Sequence, residues 1–146
     1  MLRGNAPAKI DDKGRLKVPN AFRAVIHKEH GPEVFVTSLA GESVRIYPMP
    51  VWLEIERKLA QAPSNHPARL KFLDRVNFYG QVSELDPQGR VLIQPRLRES
   101  ALMAGEVDVL GKFDFLEVWN HDRFLAKLIR EPFSDDDARA LAEYGI

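Results

Sequence analysis

Apolar and polar residues alternate over short stretches of the chain, which is the pattern of strands with one buried face. Leu16 and Val18 alternate with Arg15 and Lys17. We therefore expect a strand whose leucine and valine enter the core and whose arginine and lysine face water. The Asp-x-x-Gly sequence before it favours a tight turn that follows a short strand at 9–11. The segment thus predicts a hairpin.

The same type of pattern predicts further strands and helices along the chain. The other predicted strands are residues 34–37, 43–47, 82–86, 90–93, 107–110 and 115–119. The predicted helices are residues 21–28, 51–61, 68–79, 95–103 and 122–130, and Ser134 begins a last amphipathic helix or a partly disordered tail. Two helices carry apolar stripes that we expect to face the core, formed by Trp52, Ile55 and Leu59 and by Phe124, Leu125 and Leu128.

One motif occurs twice, and this repeat decides the expected architecture. Asp-x-x-Gly-Arg stands at 11–15 and again at 86–90, 75 residues later, with apolar residues around it in both copies. Phe22-Arg23 also returns as Leu97-Arg98 at the same offset. The chain therefore contains two copies of one small unit, each built on a turn that ends in glycine and arginine.

Composition narrows the class of protein. The chain has 146 residues, no cysteine and a formal net charge of zero. Disulfides and thiolate metal sites are excluded, and without an apolar signal segment or a run of the roughly 20 apolar residues that a bilayer requires, we expect a cytosolic protein. The charges are unevenly placed: residues 1–28 hold seven basic and two acidic residues, and the tail is acidic. This asymmetry suits either a basic face for an anionic partner or two solvated surfaces.

Catalytic and cofactor sites have little support in the sequence. His27 and His30 lie three residues apart but have no third ligand nearby, which favours an ordinary surface pair over a metal site. No G-x-S-x-G elbow, P-loop or G-x-G-x-x-G motif is present. We therefore expect no enzymatic activity, no metal, no cofactor and no small-molecule substrate.

The duplicated turn has both a structural and a functional interpretation. Aspartate and glycine build the turn, and the arginine can form a salt bridge with the aspartate across it. The turn itself does not require arginine, however, and an exposed guanidinium is well shaped for a phosphate or for the O6/N7 edge of guanine. Lys13 and Lys17 flank Arg15, whereas Gln88 and Leu92 stand at the matching places beside Arg90.

These residues resemble those of a known protein family. The chain resembles the MraZ family of bacterial regulators, within the SpoVT-AbrB superfamily of swapped-hairpin DNA-binding barrels. The resemblance covers about residues 1–130 and rests on these segments: Arg3-Gly4-Asn5, the two D-x-x-x-R motifs, Gly14–Pro19 with Gly89–Ile93, Tyr47-Pro48, Phe72-Leu73 and Glu117-Val118-Trp119. Gln94 departs from the family's usual proline, and the acidic tail after Arg130 is long.

The resemblance implies an α+β, strand-rich fold in which two tandem repeats interleave into one barrel-like pseudo-dimer with flanking helices. The implied organisation is a first repeat at 5–50, a helical connector at 51–79, a second repeat at 80–123, and a C-terminal helix with an acidic tail at 124–146. The implied DNA-binding residues are Asp11, Lys13, Arg15, Asp86 and Arg90, and we add Lys17, with Arg3, Lys9 and Gln88 as further candidates.

The function implied is that of a sequence-specific transcriptional regulator. As a ring-shaped homo-oligomer associated with the nucleoid, it would bind repeated promoter elements of the division and cell-wall gene cluster, including its own promoter. Two alternatives remain open at this point: a non-enzymatic scaffolding ring, and an antitoxin-like regulator of the same superfamily. If the tail is peripheral, removal of residues 131–146 leaves DNA binding intact.

Overall fold

A computed structural model describes all residues, 1–146, as an α+β structure with eight strands and six helices. The strands are β1 (Asn5–Lys9), β2 (Arg15–Lys17), β3 (Glu33–Thr37), β4 (Val44–Pro48), β5 (Gln81–Glu84), β6 (Arg90–Leu92), β7 (Glu106–Gly111) and β8 (Leu116–Asn120). The helices are α1 (Asn20–His30), α2 (Met49–Leu59), α3 (Pro67–Tyr79), α4 (Pro95–Ser100), α5 (His121–Arg130) and α6 (Asp135–Ala142). The strand-rich α+β class expected from the sequence is confirmed.

The strands form one large sheet and one small ribbon. The large sheet has six strands in the order β1-β7-β8-β4-β3-β5, and its neighbours are antiparallel. The ribbon consists of β2 and β6, which are also antiparallel. Strands from the two halves of the sequence pair with each other at four places: β1 with β7, β2 with β6, β3 with β5, and β4 with β8.

This pairing follows the sequence repeat. Each strand of the first half has a counterpart in the second: β1 corresponds to β5, β2 to β6, β3 to β7 and β4 to β8. The β1–β7 pair is therefore equivalent to the β5–β3 pair, and the β2–β6 and β4–β8 pairs each join a strand to its own counterpart. The order of strand pairing is therefore unchanged when the two halves are exchanged, and the two copies of the turn occupy equivalent places in it.

The hairpins expected around the two turns are largely wrong. β1 and β2 share only the bridge between Ile10 and Leu16, and both strands form their ladders with the other half of the chain. β3 and β4, in contrast, do form a hairpin with each other, and they are paired from Val34 to Thr37. A local turn signal fixes the turn, but it does not decide which strand completes the ladder.

One main core lies between the ribbon and the large sheet. Leu16 and Val18 are fully buried in it, as the alternation predicts, and Val91 and Ile93 occupy the matching places from the second copy. A second, smaller cluster attaches α2 and α3 to the sheet. There the Trp52 ring stacks on Phe35, with 4.6 Å between ring centroids.

Two expected features of the helices differ from the structure. Leu125 and Leu128 do not enter the core: their exposed fractions are 46% and 54%, and only Phe124 of that stripe approaches an aromatic neighbour, Trp119. The fourth helix ends at Ser100, earlier than expected, and Leu102 beyond it has a φ of 53°. No helix has both the length and the apolar character needed to cross a membrane.

His121, at the start of α5, is tied to the large sheet through Asp108 of β7. Its Nδ1 lies 2.7 Å from an Asp108 carboxylate oxygen, and Asn5 of β1 donates a hydrogen bond of 3.3 Å to the other oxygen. The hydrogen bond to Asp108 raises the pKa of His121 above its usual 6.5. Because Asp108 is buried, the contact fixes the start of α5 on the sheet.

This contact predicts a pH-dependent contribution to stability. A histidine with a raised folded-state pKa stabilises the fold fully below 6.5, and the contribution is lost as the pH rises through the folded pKa. We expect His121→Gln to lower the free energy of unfolding most at acidic pH and progressively less at alkaline pH. Urea unfolding of both proteins between about pH 5 and 9 measures this difference. A difference that stays constant over that range contradicts the contact.

Candidate nucleic-acid interface

The first turn is closed by hydrogen bonds within its own motif. One carboxylate oxygen of Asp11 accepts hydrogen bonds from the backbone N–H groups of Lys13 at 3.0 Å and Arg15 at 2.9 Å. The other oxygen accepts from Nε of Arg15 at 2.8 Å. Gly14 closes the turn with a φ of 80°, a conformation that favours glycine.

The second turn repeats this geometry atom for atom. Asp86 accepts from the backbone N–H groups of Gln88 at 2.9 Å and Arg90 at 2.8 Å, and its other oxygen accepts from Nε of Arg90 at 2.9 Å. Gly89 has a φ of 77°. The salt bridge across the turn is therefore real in both copies, and it accounts for part of the requirement for arginine.

The salt bridge occupies only one of the three nitrogens of each guanidinium. Arg15 and Arg90 use only Nε within the chain, and the two terminal nitrogens of each have no partner. An arginine held at Nε by a carboxylate presents these nitrogens in a fixed direction, so less side-chain entropy is lost when they bind. The aspartates thus pre-orient two guanidinium groups for a ligand with paired acceptors.

Both aspartates stay ionised well below neutral pH. The pKa of Asp11 is lowered chiefly by the hydrogen bond from the Arg15 backbone, and then by the Arg15 side chain. The pKa of Asp86 is lowered in the same way by the Arg90 backbone and side chain. Their contribution to stability is present above the usual value of 3.8 and is lost as the pH falls through the folded pKa.

The ribbon brings both arginines onto one surface. In β2 and β6, Leu16 and Val91 point into the core, so the residues on either side of them point outward. Lys17 stands directly across from Arg90, and Arg15 stands across from Leu92. The outer face of the ribbon, formed by Arg15, Lys17, Arg90 and Leu92, is therefore a compact basic surface. We call it the ribbon face.

Each turn is also buttressed by an arginine from the other copy. The side chain of Arg98, in α4, lies against Gly14, where a β-carbon would overlap its guanidinium. Arg23, in α1, lies against Gly89, where a β-carbon would stand 2.7 Å from its Cδ, and it donates a hydrogen bond to the carbonyl of Pro87. Glycine is thus required at both turns for its backbone conformation, and any side chain there would also displace the arginine from the other copy.

The sequence did not single out Arg23 and Arg98 as site residues. The signal was nevertheless present, because Phe22-Arg23 returns as Leu97-Arg98 at the offset of the motif. Nε of Arg98 is buried and has no hydrogen-bond partner. The structure places four arginines around two turns, which are Arg15, Arg23, Arg90 and Arg98.

The other candidates lie at different distances from this surface. Lys13 and Gln88 are exposed on the two turns themselves. Lys9, at the end of β1, lines a shallow groove together with Lys17. Arg3 stands before the opposite end of β1, where it adjoins Gly111 of β7. The structure therefore groups all of them around the ribbon face except Arg3.

A cleft of about 640 Å³ opens beside the second turn. Arg23, His27 and Lys28 of α1 line one wall, and Glu84 and Asp86 line the other. Both signs of charge face this cleft, which is not the character of a dedicated anion pocket. No three His, Cys, Asp or Glu side chains are grouped so that they could hold a metal ion.

The sequence matches one known protein family. A family model described as "MraZ protein, putative antitoxin-like" matches residues 1–75 and 81–143. The chain belongs to the MraZ family. The family match includes both turns, the whole ribbon and the arginines of α1 and α4.

Members of the MraZ family in other bacteria are similar over most or all of their length. A transcriptional regulator MraZ of Acidobacterium capsulatum is 48% identical over 146 residues, with all of both chains covered. One of Koribacter versatilis is 46% identical over 147 residues, again with all of both chains covered. One of Acidithiobacillus ferrooxidans is 37% identical over 131 residues, which is 85% of each chain. All three relatives are named transcriptional regulators, and no enzyme family is indicated.

Proposed function

We propose that this protein is a sequence-specific transcriptional regulator that binds double-stranded DNA through the ribbon face. The observation that carries the proposal is the pair of arginines, Arg15 and Arg90, each held at Nε by an aspartate with its terminal nitrogens free. Lys17 adds a third cation directly across from Arg90. The membership of the MraZ family supports the same function.

The shape of the ribbon suits the major groove of DNA. A two-stranded antiparallel ribbon is narrow enough to enter that groove, and several DNA-binding proteins read bases with one. A guanidinium with two free nitrogens can bind O6 and N7 of one guanine, or two oxygens of a phosphate. We therefore assign Arg15 and Arg90 to base or phosphate contacts, with Asp11 and Asp86 as the residues that orient them.

The surrounding cations extend the interface. Lys13 lies at the tip of the first turn and Lys9 shares a groove with Lys17, so these lysines are placed to neutralise phosphates. Arg23 and Arg98 flank the turns, and each fixes the turn of the opposite copy. In the proposed complex they set the position of both tips and reach the phosphates beside them, and Gln88 replaces Lys13 at the second tip.

The proposed architecture is that of the SpoVT-AbrB superfamily. The repeats at 5–50 and 80–123 would form one swapped-hairpin barrel, with the connector at 51–79 and the C-terminal segment at 124–146 on its outside. Support for this comes from the four strand pairs that join the two halves. The approximate symmetry gives one chain the two tips that a symmetric DNA-binding dimer would supply from two chains.

We further propose that several chains assemble into a ring that binds repeated elements. One ribbon face makes few contacts, whereas linked binding sites gain effective concentration, which often raises affinity about 10²–10⁴-fold. Elements spaced by roughly one helical turn, about 10 bp, would place neighbouring tips on one side of the duplex. Assembly also explains how a chain of zero net charge binds DNA, because basic faces add up around a ring.

The proposed targets are promoter repeats ahead of the division and cell-wall gene cluster, including the promoter of the protein's own gene, so that it acts in the cytoplasm on the nucleoid. A gel-shift assay with a fragment from upstream of its own gene tests this directly. We expect a shift at moderate salt with the native repeats and none with scrambled repeats. Equal shifts with both fragments, or no shift with either, contradict the proposal and leave the scaffolding ring as the better interpretation.

The lysines give a prediction about salt. Lys13→Ala and Lys17→Ala should each weaken binding to all sequences, and each should flatten the dependence of log affinity on log salt by about one unit per lost phosphate contact. Titrations of one promoter fragment at several salt concentrations measure the slope. Lys58→Ala is the control, because Lys58 is an exposed lysine of α2, which packs on the other sheet. If Lys13→Ala instead changes which sequence is preferred, Lys13 contacts bases.

The description of the family model favours a second candidate, an antitoxin-like regulator that binds DNA and a small toxin. Both candidates use the same ribbon face for DNA, so the Arg15 and lysine variants do not separate them. The identity of the neighbouring gene distinguishes the two candidates. A small toxin gene next door, whose product co-purifies with this protein, would favour the antitoxin-like function.

A further inference from the structure

One side of α5 carries apolar side chains that no part of the chain covers. Leu125, Leu128 and Ile129 are 46%, 54% and 82% exposed, and Phe133 just beyond the helix is 71% exposed. They lie three or four residues apart, so they form a stripe along the helix. A large contiguous apolar surface of this type marks an interaction site in a soluble protein.

The segment after α5 is acidic, and its side chains form no hydrogen bond or ion pair with the sheet or with the other helices before α5. Residues 131–146 include five acidic residues and one arginine, and every one of them is exposed. Their side-chain hydrogen bonds and ion pairs stay between residues 127 and 139. α6 has eight residues, and helices shorter than about 12 residues are marginal alone in water, even with the capping box that Ser134 and Asp137 form. A partner surface would stabilise this short helix.

A complementary surface lies on α3. Val76 and Phe72 attach this helix to the rest of the fold, whereas Leu70 and Phe78 on its outer side are 47% and 52% exposed. The helix bears three basic residues and one acidic residue. Two of the basic residues, Lys71 and Arg75, lie beside Phe78 on this side and have no ion-pair partner in the chain. Asp74 is exposed between Leu70 and Phe78, so with Arg96 the surface keeps an excess of positive charge. Arg96 lies over the Phe78 ring, with its Cζ 4.3 Å from the ring centroid.

The two surfaces match in character but do not meet within one chain. The start of α5 is fixed by three side chains. His121 contacts Asp108 of β7, and the Asn120 side chain donates to the Leu102 carbonyl. Arg123 donates to the carbonyls of Glu42 and Ser100. α3 is fixed on β3, where Thr37 donates to the Val76 carbonyl. Because both helices belong to one body and are held in place, their outer sides can meet only between two copies.

We propose that the apolar stripe of α5 and the acidic α6 of one copy pack across the outer side of α3 of the next copy. The stripe covers Leu70 and Phe78, and the acidic first turn of α6 faces Lys71 and Arg75. The contact joins different surfaces of the two copies, so it is heterologous and repeats around a ring. It rests on the proposed ring, for which it supplies the interface, and it gives the tail a role that the expectation of a peripheral tail did not include.

Two variants test the contact, each with only one of the two surfaces damaged. The α5 variant carries Leu125→Asp with Ile129→Asp, and the α3 variant carries Lys71→Glu with Arg75→Glu. Sedimentation velocity of the full chain gives the assembly state of each. We expect both variants to be monomeric at concentrations where the wild type is assembled. Leu53→Asp is the control, because Leu53 is 55% exposed on α2, outside both surfaces, and should not change assembly.

Mixing the two variants gives the decisive result. In a heterologous contact, the intact α5 of one variant fits the intact α3 of the other, so an equimolar mixture should form dimers that stop at two chains. A mixture that stays monomeric, variants that assemble like the wild type, or a wild type that is itself monomeric would each overturn the proposal. If only the α5 variant fails to assemble, α5 pairs with itself and the proposal is also wrong.

DNA binding separates this inference from the proposed function. Both variants should bind a single promoter element as the wild type does and should lose the extra affinity for tandem elements. The Arg15→Ala protein should behave in the opposite way, remaining assembled while it loses single-element binding. A wild type that assembles through this contact but shifts no DNA would contradict the proposed regulator and leave the interface standing.

Discussion

Arg15→Ala is expected to weaken promoter binding severely while the fold and the assembly stay intact. A good bidentate arginine contact is worth about 1–3 kcal/mol, and the loss recurs at every subunit that engages the DNA. The fold should tolerate the change because Asp11 keeps its two hydrogen bonds from backbone N–H groups. A gel shift at fixed salt, together with sedimentation velocity on the same sample, measures both effects.

The matched control for this experiment is Arg57→Ala. Arg57 is also an arginine held by a carboxylate within the chain, since it binds both oxygens of Glu54, but it lies on α2. Its loss should leave the gel shift unchanged. Near-normal binding by Arg15→Ala would refute the assignment of the ribbon face, whatever the control shows. Arg90→Ala should weaken binding to a comparable extent, because Arg90 is held at Nε in the same way as Arg15 and lies on the same basic surface, directly across from Lys17.

Trp52→Ala is expected to have the largest effect on stability. Trp52 is 5% exposed, and its ring lies among Phe35, Tyr47 and Phe72, with centroid distances of 4.6, 5.0 and 6.3 Å. Truncation of a buried tryptophan typically costs about 3–5 kcal/mol, which is a large part of the stability of a domain of this size. Urea unfolding monitored by circular dichroism gives the free energy of unfolding.

The neighbouring residue supplies the comparison. Leu53 is 55% exposed on the same helix, so Leu53→Ala should change the free energy of unfolding by no more than about 0.5 kcal/mol. Equal losses from the two substitutions would show that the aromatic cluster does not hold α2 and α3 on the sheet. Since α3 carries the proposed docking surface, Trp52→Ala should also reduce assembly under conditions in which it is still folded.

The positions of the strands and helices could be predicted from sequence because they depend on local patterns. Alternation placed Leu16 and Val18 in the core, and Asp-x-x-Gly placed both turns correctly. The partners of the strands could not be predicted in this way, because a hydrophobic alternation states which side of a strand is buried and says nothing about its neighbour. The ladders of β1 and β2 therefore formed with the other half of the chain instead of with each other.

In the candidate site, too, the residues that belong to a local motif could be predicted, whereas those that depend on contacts between distant parts of the chain could not. The repeat identified Arg15 and Arg90, and their position on one outward surface now has a structural basis in the ribbon. Arg23 and Arg98 were missed because their role depends on contact with the opposite copy, which no local pattern reports. Helical spacing wrongly predicts a core position for Leu125 and Leu128, because it identifies an apolar side of a helix without showing whether the same chain covers it.

The difference between Lys17 and Leu92 has a consequence for evolution of the binding site. In a dimer of identical subunits, any mutation in the DNA-contacting residues occurs in both subunits. Such a dimer therefore binds two equal half-sites, and its operators are palindromic. Here the two proposed DNA-contacting turns are encoded separately, and one bears lysine where the other bears a leucine that is 39% exposed. Each half can therefore diverge on its own. If the ribbon face binds DNA as proposed, the two ends of the bound site differ, so an operator has a direction and repeated operators are best arranged head to tail.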